Sequence, residues 1–110
     1  MKQFLFLFVG LALQPGDGSA QTQAYVQGWG EWMAGLASRG IVESGLPLEW
    51  SGKVVKKEAV TDLQLQQEDI GGYLLIRAES LDEAVEIAKQ APHMALGGTT
   101  IVRPCMEVNR

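Results

Sequence analysis

An α+β domain is the fold class this sequence predicts, and three observations predict it. Two segments, Phe4–Val9 and Tyr73–Ile76, are apolar at every position, the pattern of strands buried on both faces. Two others, residues 20–39 and the stretch after Ser80, carry apolar residues at helical spacing. The two patterns alternate along the 110 residues in the order β-α-β(β)-β-α-β. That order is the ferredoxin-like βαββαβ sandwich with an extended or divided second strand. Both helices of such a fold cover one face of an antiparallel sheet, so the second apolar face of the two strands stays bare. The simplest cover is a second copy of the chain across a two-fold axis, and a homodimer through the sheet face is expected.

The first segment has two readings. Lys2, the apolar run Phe4 to Leu13 and the small residues Gly18-Ser19-Ala20 imitate a secretory signal with a cleavage site. The run is about half of what a membrane-spanning helix needs, so no anchor is expected. The rival reading is a buried strand, Lys2 to Val9, followed by the loop Gln14-Pro15-Gly16-Asp17-Gly18; cleavage after Ala20 would remove that strand.

A helix is predicted from about Ala20 to Arg39, with Tyr25, Trp29, Trp32, Met33 and Leu36 on one stripe. Ser19 or Thr22 caps its start and Gly40 its end. Gly28, Gly30 and Gly35 each weaken it by about 1 kcal/mol relative to Ala, so it depends on tertiary packing. Ile41 to Leu46 reads as a short strand stopped by Pro47. Lys53 to Thr61 reads as an extended run whose Lys56, Lys57 and Glu58 mark an exposed or edge strand. Ser80-Leu81-Asp82-Glu83 is a capping box opening a helix, with Leu81, Ala84, Val85 and Ala88 on its stripe and Pro92 beyond its end. The last strand runs from Thr99 to about Met106.

Composition bounds the chemistry. Nine Lys plus Arg against thirteen Asp plus Glu leave a net charge of −4, which argues against a phosphate-tracking nucleic-acid surface. One Cys, Cys105, and one His, His93, exclude an intrachain disulfide and any multi-thiolate or multi-histidine metal site within one chain. Gly71-Gly72 and Gly97-Gly98 lead into strands, so neither resembles a phosphate-binding loop. No Ser-His-Asp motif, dinucleotide fingerprint or metal-ligand spacing is present, and no cofactor is expected.

Gly45-Leu46-Pro47-Leu48, Gly52-Lys53-Val54-Val55 and Val60-Thr61-Asp62 are followed by Ile70-Gly71-Gly72-Tyr73 and Ser80-Leu81-Asp82-Glu83-Ala84. Ala91-Pro92, Gly97-Gly98 and Val102-Arg103-Pro104 complete the series. In this order and spacing the pieces resemble the YCII-related family, in particular its DGPF-domain branch. The opening Met1-Lys2-Gln3-Phe4-Leu5 and the Trp29/Trp32 helix fit as well, so the likeness spans nearly all of residues 1–110 as one domain. The resemblance implies a dimeric α/β barrel, favours the strand reading of Lys2 to Val9, and with it a cytoplasmic protein. Related proteins of this architecture include small-molecule isomerases, dehydrochlorinases and monooxygenases, so fold alone selects no reaction. The family's Asp-Gly-Pro-Phe signature is here Asp62-Leu63-Gln64-Leu65, which retains the Asp and loses the turn-forming pair.

Each candidate residue carries a functional and a structural reading. Asp62 keeps the family Asp and is the first candidate for a proton acceptor; the alternative is a turn cap. His93 alone titrates near neutrality unperturbed, yet it does not map by motif onto the histidine of the group's proposed His–Asp pair, and it also suits a helix end. Arg77 and Arg103 lie on half-buried sheet faces and need either an internal carboxylate or a small organic acid as ligand. Tyr73 is a hydrogen-bonding or stacking candidate. Trp29 and Trp32 line either an aromatic pocket or the core, and Cys105 reads as an inert thiol. Two functions follow. One is a homodimeric small-molecule-binding domain with acid/base, lyase- or isomerase-like activity; the other is a non-catalytic dimeric module with a degenerate loop.

Overall fold

The computed structural model describes residues 1–10, 20–49, 51–63 and 69–107. Strands β1 (Lys2–Val9), β2 (Val42–Pro47), β5 (Ile70–Ala78) and β6 (Thr99–Pro104) form one antiparallel sheet in the order β2-β5-β1-β6. The helices are α1 (Ala20–Ser38) and α2 (Leu81–Ala88), and a short 3-10 helix, Pro92–Leu96, lies between α2 and β6. This is the expected ferredoxin-like arrangement. The segment that imitates a signal sequence contains β1, one of the two inner strands of the sheet, while Gln14 to Ser19 lie outside the described residues.

Side-chain alternation along β1 explains the two apolar faces. Phe4, Phe6 and Phe8 are buried, and Phe6 lies opposite Leu74 and Val102. They pack in one core with Leu36 of α1 and with Ala84, Ile87 and Ala88 of α2. Burying each such phenyl group contributes roughly 1.5–3 kcal/mol. The alternate set, Leu5, Leu7 and Val9, stays half-buried on the opposite face with Tyr73 and Leu75, and Ile101 there is 42% exposed.

Several expectations need correction. The run Lys53 to Thr61 divides into β3 (Lys53–Val55) and β4 (Val60–Asp62), a separate two-stranded hairpin turned by reciprocal bonds between Lys56 and Ala59. The charged Lys56-Lys57-Glu58 tip is where the chain reverses. The strand expected at Tyr73–Ile76 extends over Ile70–Ala78. The stripe of α2 is rotated: Ala84, Ile87 and Ala88 are buried, while Leu81 is 44% exposed. Ser80 does cap α2, accepting from Glu83 N at 3.1 Å, but the Glu83 carboxylate accepts from Glu79 N, one residue earlier than a standard capping box. No helix among the described residues is long and apolar enough to cross a membrane.

Candidate functional site

A cleft of about 480 Å³ opens between the N-terminal half of α1 and the ends of β2 and β5. Tyr25, Val26, Trp29, Gly30 and Met33 form its helical wall, Leu46 to Leu48 and Gly71 to Tyr73 the sheet wall, with Phe8 and His93 also lining it. The helical wall follows from the 3.6-residue stripe, which places Tyr25, Trp29 and Met33 on one side of α1. The sheet wall follows from Gly45, where the strands approach too closely for a side chain, and from Gly72, where a Cβ would be a tight fit 3.2 Å from the Leu46 carbonyl oxygen. A Cβ on Gly45 would stand 2.8 Å from the Tyr73 carbonyl oxygen and 2.7 Å from Leu74 Cδ1.

His93 is the one buried polar side chain among the described residues, 2% exposed. Its Nε2 lies 2.8 Å from the Thr99 carbonyl oxygen, with Thr100 Oγ1 3.4 Å from the same nitrogen. A carbonyl oxygen only accepts, so Nε2 carries a proton, and the ring in its neutral form has its lone pair at Nδ1. That Nδ1 is buried and has no hydrogen-bond partner among the described residues. Gly98 sets the orientation: a Cβ there would sit 2.3 Å from His93 Cδ2. The ring edge carrying Cδ2 and Nε2 is thus held against Gly98 and Thr99, which turns the Nδ1 edge the other way.

Aromatic rings surround this imidazole. Trp29 stacks on it with ring centroids 5.4 Å apart, and Phe8 meets it edge-on at 5.3 Å. Phe8 and Trp29 are themselves edge-to-face at 4.9 Å, and Tyr25 meets Trp29 in the same way at 6.1 Å. Burial pushes the Tyr25 phenol above the ordinary tyrosine value of 10.0, against a hydrogen bond with Trp29 that pulls it down. In its neutral form this imidazole has one unpaired, buried acceptor, which can take a hydrogen bond or a proton from a molecule that reaches it.

The structure brings together some of the residues named from the sequence and separates others. His93 and Trp29 meet in the cleft. Tyr73 borders it, but its ring belongs to the outward set with Leu75. Trp32 packs beside Trp29 and Phe8 against the core, with its indole nitrogen buried and without a partner. Asp62 lies away from the cleft on the β3–β4 hairpin, exposed and ion-paired with Lys53. Arg77 Nε lies 2.8 Å from Glu43 Oε1, and Gln3 donates to the same carboxylate. Arg103 stands opposite Leu5 on β6 and is exposed. Among the described residues no three His, Cys, Asp or Glu side chains group as a metal site. Sequence reasoning passed over Phe8, Tyr25 and Gly98 as site residues; the signal for Gly98 was a glycine pair closely following the only histidine.

No family model matches the chain, and no curated protein matches it. Among solved structures it is similar to 5-chloro-2-hydroxyhydroquinone dehydrochlorinase (TftG) from Burkholderia phenoliruptrix in complex with 2,5-dihydroxybenzoquinone. The TM-score is 0.56 at 20% identity, over 96% of this chain and 95% of that one. The likeness is one of fold along essentially the whole length.

Proposed function

We propose that this protein is a YCII-related, cytoplasmic homodimer that binds a small organic molecule in the cleft beneath α1, with His93 as the proton acceptor. The observation that carries the reading is the buried, partnerless Nδ1 of a histidine lining an otherwise apolar cleft. Native structures seldom leave such an atom unsatisfied, and those that do often use it. The Thr99 carbonyl supports the chemistry, because it stabilises the Nε2–H and the positive charge that forms when Nδ1 takes a proton. The dehydrochlorinase with which the fold is shared was solved with a small molecule bound, which favours the same class of occupant. The dimer is supported by Leu5, Leu7, Leu75 and Ile101, an apolar surface on the sheet face away from the helices.

Asp62, Arg77 and Arg103 lie outside this cleft, so an organic-acid site built from them is one that a second copy would have to complete. A thermal-shift screen of small organic compounds tests the reading. Compounds at about a hundred times their Kd should raise Tm by about 10 °C or more. Gly30→Phe, which fills the cleft from a position where a Cβ meets nothing within 4 Å, should abolish those shifts. Asp62→Asn should leave them unchanged. A flat screen, or hits indifferent to Gly30→Phe, would contradict the proposal and favour the non-catalytic module.

A further inference from the structure

We infer that the cleft takes an uncharged, flat ring compound and holds it through a single O–H or N–H donated to His93 Nδ1; this rests on the cleft being the binding site. The first ground is charge. Among the described residues no Lys or Arg lines the cleft and the one charged lining residue is Glu49, exposed; the chain carries a net charge of −4. A carboxylate or phosphate entering it would lose its hydration with no cation to replace the water. A cation would meet a single exposed carboxylate and aromatic rings already packed on one another and on His93, which leaves few free ring faces to replace its hydration.

The second ground is shape. Trp29, Phe8, Tyr25 and His93 already pack ring against ring in edge-to-face and stacked pairs. A flat ring continues that packing, whereas a branched aliphatic group does not use the ring faces. The third ground is the hydrogen bond. Nδ1 accepts and cannot donate while Nε2 holds the proton against Thr99, so the ligand must supply the donor. Because Nδ1 is buried, a neighbouring side chain has to shift for the donor to reach it.

The test is a charge series on one ring system: 2-naphthol, naphthalene, 2-naphthoate and 2-naphthylmethylammonium, titrated into the wild-type protein near neutral pH. Binding is read by quenching of tryptophan fluorescence and by Tm. We expect 2-naphthol to bind about tenfold more tightly than naphthalene, and the two ions more weakly than either. His93→Phe keeps a flat ring beside Trp29 and removes both ring nitrogens, so it should level 2-naphthol to naphthalene while naphthalene still binds. Preference for the carboxylate or the ammonium, or equal binding of naphthol and naphthalene to the wild type, overturns the ligand class while leaving the cleft as the site. Failure of all four to bind overturns both readings.

Discussion

His93 and Gly98 act as one unit. The imidazole can turn its Nδ1 edge away from β6 only because residue 98 has no side chain to occupy the space against Cδ2. Gly97, in the left-handed conformation at φ 84°, closes the 3-10 helix and brings Gly98 N to the His93 carbonyl at 2.9 Å. Gly98→Ala should therefore act twice. Overpacking against ring and backbone costs about 1–3 kcal/mol, seen as a lower Tm. The displaced ring loses its Thr99 bond and with it the defined tautomer, so compounds that donate to Nδ1 should lose their advantage over those that do not. A variant that keeps both the Tm and that advantage would show that the close contact has no role.

At the scale of elements, what was legible depended on local pattern. The strand Lys2–Val9 announces itself by alternating Phe and Leu, and α2 by its capping residue. The β3–β4 hairpin does not, because its turn carries Lys56-Lys57-Glu58 with no glycine, proline or asparagine to mark a reversal. The 3-10 helix opens on Pro92, which reads equally well as the end of the preceding helix. The cleft was illegible for another reason. Its walls come from Phe8, from Tyr25 to Met33, from the end of β2 and from His93, segments that only the sheet order brings together. The sequence therefore named His93 and Trp29 without joining them, and it ranked Asp62 above both. On α1 the glycines leave a measurable mark. Gly30→Ala adds a Cβ that meets nothing within 4 Å, so it should stabilise the protein by about 1 kcal/mol in denaturant unfolding. A destabilised variant would mean that the helix needs the glycine for its packing.

At the scale of the whole molecule, the apolar content divides between two faces of one sheet. The face under the helices closes into a core around Phe4, Phe6 and Leu74. The other carries Leu5, Leu7, Leu75 and Ile101 beside the Arg77–Glu43 pair, and the chain's own helices pack on the opposite side. If a second copy covers it, Leu7→Glu should convert the dimer to a monomer in sedimentation or light scattering, because a buried unpaired carboxylate costs several kcal/mol per subunit. The same variant should keep its far-ultraviolet circular dichroism. An unchanged dimer would place the interface elsewhere.

The central claim is that His93 offers Nδ1 as an open acceptor to a molecule bound in the cleft. Because His93 is the only histidine in the chain, its ring nitrogens give a single pair of resonances in a 15N-labelled sample. Recorded with the ring neutral, with and without saturating 2-naphthol, they read both tautomer and partner. The account predicts a protonated Nε2 throughout and an Nδ1 resonance that moves to a hydrogen-bonded position when the ligand binds. A proton found on Nδ1 in the free protein, or an Nδ1 resonance indifferent to bound ligand, would contradict it.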